Sequence, residues 1–166
     1  ASFQDIVDVV LSLSQKRLEK SHVDLVVDLA RDLPRFRCRS EQLQQVLMNL
    51  VINAVHALDD RYPDASPNKR LRIEAGHDAT KQPSVIRVIV EDCGKGIPHA
   101  DLERIFEPFY TTKGRDVGTG LGLSVSEGIV RSHGGSIWAE SIPGEFTRIV
   151  IELPVADGML ETGEPV

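Results

Sequence analysis

Apolar positions recur at helical spacing at the start of the chain. Phe3, Ile6, Val7, Val10, Leu13 and Leu18 predict an amphipathic helix over residues 1–19. Two short runs, His22–Leu29 and Arg35–Arg39, read as strands about a turn at Asp32-Leu33-Pro34. Ser40 is placed to cap a long helix through Leu58, with Glu41 in its first turn. The polar stretch Asp59–Arg70 carries Pro63 and Pro67 and predicts an exposed loop. Strands follow at Leu71–Ala75 and Val85–Glu91, then mostly loop to Gly120 with one short helix near Asp101–Ile105. A helix from Leu121 to Ser132 leads into strands Ser136–Glu140 and Phe146–Leu153. Residues 155–166, with two glycines and three acids, predict a flexible tail. Strands and helices mix without a strict β-α-β alternation. That pattern predicts an α+β fold, a two-layer sandwich in which helices cover one face of a mixed, mostly antiparallel sheet.

Composition then narrows the partners. Nineteen Lys and Arg against 25 Asp and Glu leave a formal charge of −6, a poor footing for non-specific binding to nucleic acid or an anionic membrane. Hydrophobic content of 41% and charged content of 27% are ordinary for a folded domain. Cys38 and Cys93 form no CxxC pair and no disulfide framework, which suits a reducing compartment. No stretch approaches the roughly 18 uninterrupted apolar residues of a membrane span. The first helix is too polar for a signal peptide, and the chain opens on Ala1 rather than methionine. A cytoplasmic segment cut from a longer protein is the expectation.

Three local patterns carry candidate chemistry. From Gln42 to Leu58 the long helix holds no Lys, Arg, Asp or Glu, while Gln42, Gln45, Asn49, Asn53 and His56 recur at three- or four-residue steps beside its apolar stripe. A solvated helix face is normally charged, so amides here suggest the wall of a pocket. Asn49 and Asn53, one turn apart, can offer two carbonyl oxygens to one hard cation such as Mg²⁺, or can form a structural amide network. Asp92-Cys93-Gly94-Lys95-Gly96-Ile97 follows the apolar strand; it places a carboxylate at a cavity mouth or makes an ordinary Asp-x-Gly turn. Gly118-Thr119-Gly120-Leu121-Gly122-Leu123 opens a helix, where free N–H groups and the helix dipole suit phosphate. Its spacing matches neither the Rossmann fingerprint nor a P-loop. Ahead of it, Thr111-Thr112-Lys113-Gly114 is a candidate lid, with Lys113 a point charge for a terminal phosphate.

In this order, with Phe106-Glu107-Pro108-Phe109 between the second and third, the motifs resemble one family. The chain looks like the ATP-binding catalytic domain of two-component sensor histidine kinases, in the GHKL superfamily with gyrase, Hsp90 and MutL. The run Phe106–Ser124 is similar to the subgroup that includes nitrogen-regulation sensor kinases. The resemblance implies a Bergerat-type fold over residues 20–154, with 1–19 as the end of a connecting helix from a missing dimerisation and phosphoacceptor domain. It also implies ATP and Mg²⁺ as cofactors, a histidine acceptor, a downstream response regulator, and a homodimer at full length.

Carried over by position, the resemblance assigns Asn53, assisted by Asn49, to Mg²⁺ and the ATP phosphates. Asp92 accepts from the adenine amino group, with Gly94, Gly96 and Ile97 beside the base and Thr147 helping to hold that end. Phe106 and Phe109 pack under the lid, Lys113 touches the γ-phosphate, and Gly118, Thr119, Gly120, Leu121, Gly122 and Leu123 cradle phosphates. Asn49 and Lys113 are the implied catalytic pair. His56 stands where many relatives carry a phosphate-contacting Lys, and it reads better as a helix-flank histidine than as a ligand. Cys93 reads as neutral filler, and His133 as part of a helix-ending turn with Gly134 and Gly135. Other readings stay open: a gyrase- or Hsp90-like ATPase clamp, an anti-sigma-type serine kinase, or a non-catalytic nucleotide-gated binding module. The clamp is disfavoured because those relatives place a Glu at the position of Asn49, and an amide cannot take a proton from water.

Overall fold

Residues 1–110 and 122–155 are described by a computed structural model. In chain order they form α1 (Phe3–Lys20), β1 (Asp24–Leu29), α2 (Ser40–Arg61), β2 (Arg70–Asp78), β3 (Ser84–Asp92), a 3₁₀ turn at His99–Asp101, α3 (Gly122–Ser132), β4 (Ser136–Ile142) and β5 (Phe146–Val155). The strands make one sheet in the order β1-β2-β3-β5-β4. β1 runs parallel to β2, and every other pair is antiparallel. The expected α+β sandwich with a mixed, mostly antiparallel sheet is what forms.

Register explains the two faces. Leu71, Asp92, Thr147 and Ser141 lie opposite one another across β2, β3, β5 and β4. Counting by twos from that row puts Ile73, Val90, Ile149 and Ala139, then Ala75, Val88, Ile151 and Ile137, on the same face. This is the face the helices cover. α2 buries Leu43, Val46, Leu47, Leu50, Val51, Ala54, Val55 and Leu58 against it. Asp92, Thr147 and Ser141 thus end an otherwise apolar surface. The outer face carries ion pairs instead: Arg87 with Glu152 and Asp78 at 2.6 and 3.2 Å, and Arg148 with Glu91 and Glu140 at 2.7 and 3.0 Å. Such partly exposed pairs are individually weak, and their arms shield the sheet from water.

α1 buries Phe3, Ile6, Val7, Val10, Ser14 and Leu18 in the same core as α2 and the sheet. Residues 3–20 therefore share one hydrophobic unit with the rest of the fold. Leu13, counted above on the apolar stripe, is 70% exposed; its neighbour Ser14 takes the inward position and donates to Met48 Sδ at 3.2 Å.

Several boundaries differ from those predicted. Arg35–Arg39 buries Phe36 but forms no strand. Its hydrogen-bonding neighbour is residue 1: the Ala1 amine donates to the Phe36 carbonyl at 2.7 Å, and the Phe36 N–H to the Ala1 carbonyl at 3.0 Å. Ser40 is the first residue of α2 rather than its cap, and no side chain caps that end. The preceding Arg39 N–H is satisfied by His133 Nε2 at 3.1 Å instead. His133 Nδ1 donates to the Ile129 carbonyl at 2.8 Å, so the ring ties the end of α3 to the start of α2, as its structural reading implied. The short helix near Asp101–Ile105 is the 3₁₀ turn at His99–Asp101. β5 continues to Val155, buried and opposite Ser84, one residue into the expected tail.

Candidate functional site

α2 supplies one wall because its exposed flank has no charge to solvate. Asn49 Nδ2 donates to the Gly122 carbonyl at 3.4 Å and towards Ser126 Oγ at 3.5 Å, both on α3. Ser126 itself is buried and bonds back to Gly122 O at 2.8 Å. With its nitrogen engaged by α3, Asn49 keeps its Oδ1 as a hard oxygen acceptor. A Cβ at Gly122 would come only into ordinary van der Waals contact with Asn49 Cγ, at 3.8 Å. Asn53 follows one turn on, then His56, whose Nε2 lies 2.6 Å from Arg17 Nη2 of α1.

The turn after Asp92 docks directly on α2, one turn beyond Asn53. The Lys95 N–H donates to the Ala57 carbonyl at 3.2 Å. A Cβ on Gly94 would lie 2.6 Å from the Ala57 carbonyl carbon and 2.7 Å from both its oxygen and Asp92 Oδ1, so only glycine fits. Gly96 has φ of +76°, and a Cβ there would meet the Ile142 carbonyl at 2.6 Å. The glycines thus let β3's exit pass between α2 and the β4–β5 turn. Arg61 at the end of α2 locks the same crossing. Its Nη1 donates to the carbonyls of Cys93, Gly94 and Glu145 at 3.0, 3.3 and 3.2 Å.

Asp92 is 5% exposed, and its Oδ1 accepts the Gly94 N–H at 2.9 Å. Burial pushes its carboxyl up to about 7; the Gly94 N–H works against this, and the charge of Glu91 adds to it. Across the sheet, Thr147 Oγ1 is 3.1 Å from Ser141 Oγ, which accepts the Ile97 N–H at 2.8 Å and donates to the Phe146 carbonyl at 2.6 Å. Asp92, Gly94, Gly96, Ile97 and Thr147 therefore form one cluster. Burial and the neighbouring carboxylates push the Cys93 thiol up, so it stays neutral.

Phe106 and Leu123 pack against the core, while Phe109 is 74% exposed with φ of +65°. Thr111 through Leu121 lie outside the described residues, and with them the positions of Lys113, Gly118, Thr119, Gly120 and Leu121. Sequence reasoning missed Arg61, Ser126, Ser141 and Arg17. Each acts through partners more than 30 residues away or on another strand, and no local spacing marks them.

The family model described as histidine kinase-, DNA gyrase B-, and HSP90-like ATPase matches residues 38–157. The chain belongs to this family. The two-component sensor PprA of Pseudomonas aeruginosa is 46% identical over 120 residues, 72% of this chain and 12% of that protein. The sensor histidine kinase ZraS of Salmonella typhimurium is 34% identical over 154 residues, 93% of this chain and 30% of that one. The chain thus spans less than a third of either relative. The catalytic domain of histidine kinase ThkA is 31% identical, with a TM-score of 0.75 covering 92% of this chain and 91% of that one. ThkA in complex with response regulator protein TrrA superposes with a TM-score of 0.73 at 27% identity, covering 94% of this chain and 41% of that one. This chain is thus a GHKL-type ATP-binding domain of the kind found in sensor histidine kinases.

Proposed function

We propose that this domain binds Mg-ATP and donates its γ-phosphoryl group to a histidine on a separate dimerisation and phosphoacceptor domain. The observation that carries the proposal is the docking of Gly94 on Ala57. It sets the buried Asp92 acceptor beside the amide face of α2, so one nucleotide can span both. Asp92 receives the adenine amino group, Thr147 and Ser141 close that end, and Ile97 and Phe106 supply apolar surface. Asn49 and Asn53 present hard oxygens, a donor set that fits Mg²⁺. Among the described residues no group of three or more His, Cys, Asp or Glu could hold a metal, and Asn49 and Asn53 are the residues that would hold Mg²⁺ with the nucleotide. Bound there, Mg²⁺ supplies neutralisation of phosphate charge.

Lys113, with the N–H groups of Gly118, Thr119, Gly120, Leu121, Gly122 and Leu123, surrounds the phosphates in this reading. The chemistry asks for positioning and charge stabilisation: the bond from the γ-phosphorus to the β-phosphate bridging oxygen breaks, one to an imidazole nitrogen forms, and ADP leaves. Asn49 cannot act as a base, which favours transfer over hydrolysis. ThkA's complex with TrrA supports a response regulator as the downstream partner. The proposal extends to a cytoplasmic setting, a full-length homodimer, attachment through the start of α1, and the nitrogen-regulation subgroup suggested by Phe106–Ser124.

The test supplies γ-labelled ATP and a purified phosphoacceptor hairpin in trans. Acid-labile, base-stable label on the hairpin is the expected result. Label released only as inorganic phosphate points to the ATPase clamp, and acid-stable label to a serine kinase.

A further inference from the structure

The amide face of α2 is extended by a cation from another helix. Arg17, in the last turn of α1, reaches across to His56 with Nη2 2.6 Å from Nε2. A guanidinium only donates, so Nε2 is the acceptor and the neutral ring carries its proton on Nδ1. Arg17 makes no ion pair among the described residues. Arg72, Arg87 and Arg148, by contrast, all sit on carboxylates. A neutral imidazole orients the guanidinium without cancelling its charge. His56 follows Asn53 by three residues, so that charge is held less than one helical turn beyond the second amide of the face. The side chain is solvent-accessible, and its remaining N–H groups form a fork suited to a phosphate oxygen pair.

We infer that Arg17 is a phosphate-contacting residue of the nucleotide site, and that His56 is the positioning residue that aims it. The inference rests on the nucleotide reading above and adds a residue from α1 to it. It gives His56 an indirect role: the ring holds the cation and leaves the phosphate to Arg17.

The test is calorimetric titration of a non-hydrolysable ATP analogue and, separately, adenosine, into the 166-residue chain. Wild type is compared with Arg17→Gln, Arg17→Lys, His56→Ala and the Arg17→Gln/His56→Ala double variant, with melting curves to verify folding. Arg17→Gln should weaken the triphosphate about 3- to 10-fold, as a partly exposed charge-assisted contact does, and leave adenosine unchanged. Arg17→Lys should recover part of the loss. His56→Ala should lose a similar factor, and the double variant no more than either single one. Triphosphate affinity unchanged in Arg17→Gln, or adenosine weakened equally, overturns the inference. Wild type failing to bind the triphosphate overturns the nucleotide reading with it, whereas wild-type binding beside an unaffected Arg17→Gln overturns this inference alone.

Discussion

Replacing Asp92 with Asn should move stability and ligand affinity in opposite directions. The carboxyl rises from 3.8 to about 7 because folding buries it, and the single Gly94 N–H does not compensate. A shift of roughly three units corresponds to about 4 kcal/mol. A raised acid is a penalty on the charged form. The penalty is absent below the unfolded value, grows as pH climbs from about 4 to about 7, and is complete above that. Asn has the same shape, keeps an oxygen for the Gly94 N–H and cannot ionise, but it buries an amide that costs something itself. A net gain of about 2 kcal/mol at pH 8 is expected, a rise in Tm of about 4–8 °C for a chain this size. Thermal melts from pH 4 to 8 should show wild type losing stability across that window, while the variant lacks this slope; the two curves cross, and near pH 4 the variant is the less stable by about 1–2 kcal/mol, the cost of its buried amide. Titration with the ATP analogue should show the reverse, a loss of about 1.5–3 kcal/mol as a charged acceptor for the adenine amino group becomes a neutral one. A variant less stable than wild type at pH 8 would refute the burial argument, and unchanged nucleotide affinity would refute the role given to Asp92.

The other predictions use the same two assays. Gly94→Ala should cost about 1–3 kcal/mol, because the new methyl meets the Ala57 backbone at 2.6 Å, and nucleotide affinity should fall with it as Asp92 is pushed aside; an unaltered melt would count against that packing. Asn53→Ala should weaken Mg²⁺-supported nucleotide binding about 10- to 100-fold while leaving metal-free binding nearly intact. Asp59→Ala should cost about 2 kcal/mol by stranding the Lys69 ammonium, which is 1% exposed and 2.7 Å from Asp59, although the 41% exposure of Asp59 softens the loss. Lys69→Met should be close to neutral, since a similar volume replaces a buried charge.

What was legible in the sequence follows a physical divide. The long charge-free helix read correctly because missing charge on a flank is a local signal. β3, at Val85–Glu91, read correctly because both its faces are covered, one by helices and one by the arms of the ion pairs. Arg35–Arg39 shows the limit: Phe36 alternates with exposed residues as a strand would, yet a strand needs a neighbour to complete its ladder, and that is a tertiary fact. Ser40 failed as a cap for a similar reason, since His133, 94 residues from Arg39, satisfies that backbone instead. At the site, the acid, the glycines and the paired amides were visible as residue types. Their mutual placement was not, because it depends on Arg61 holding three carbonyls and on Gly94 passing under Ala57. The inward turn of Ser14 in place of Leu13 left no trace in the hydrophobic pattern, because a buried hydroxyl bonded to a thioether looks polar in sequence.

The measurement closest to the central claim is calorimetric titration of a non-hydrolysable ATP analogue into the 166-residue chain, with and without Mg²⁺. Binding that strengthens when the metal is present is the expected result if, as proposed, Asn49 and Asn53 hold the cation together with the phosphates. Equal affinity in both conditions would contradict the two-asparagine metal site, and no binding in either would contradict the nucleotide pocket itself.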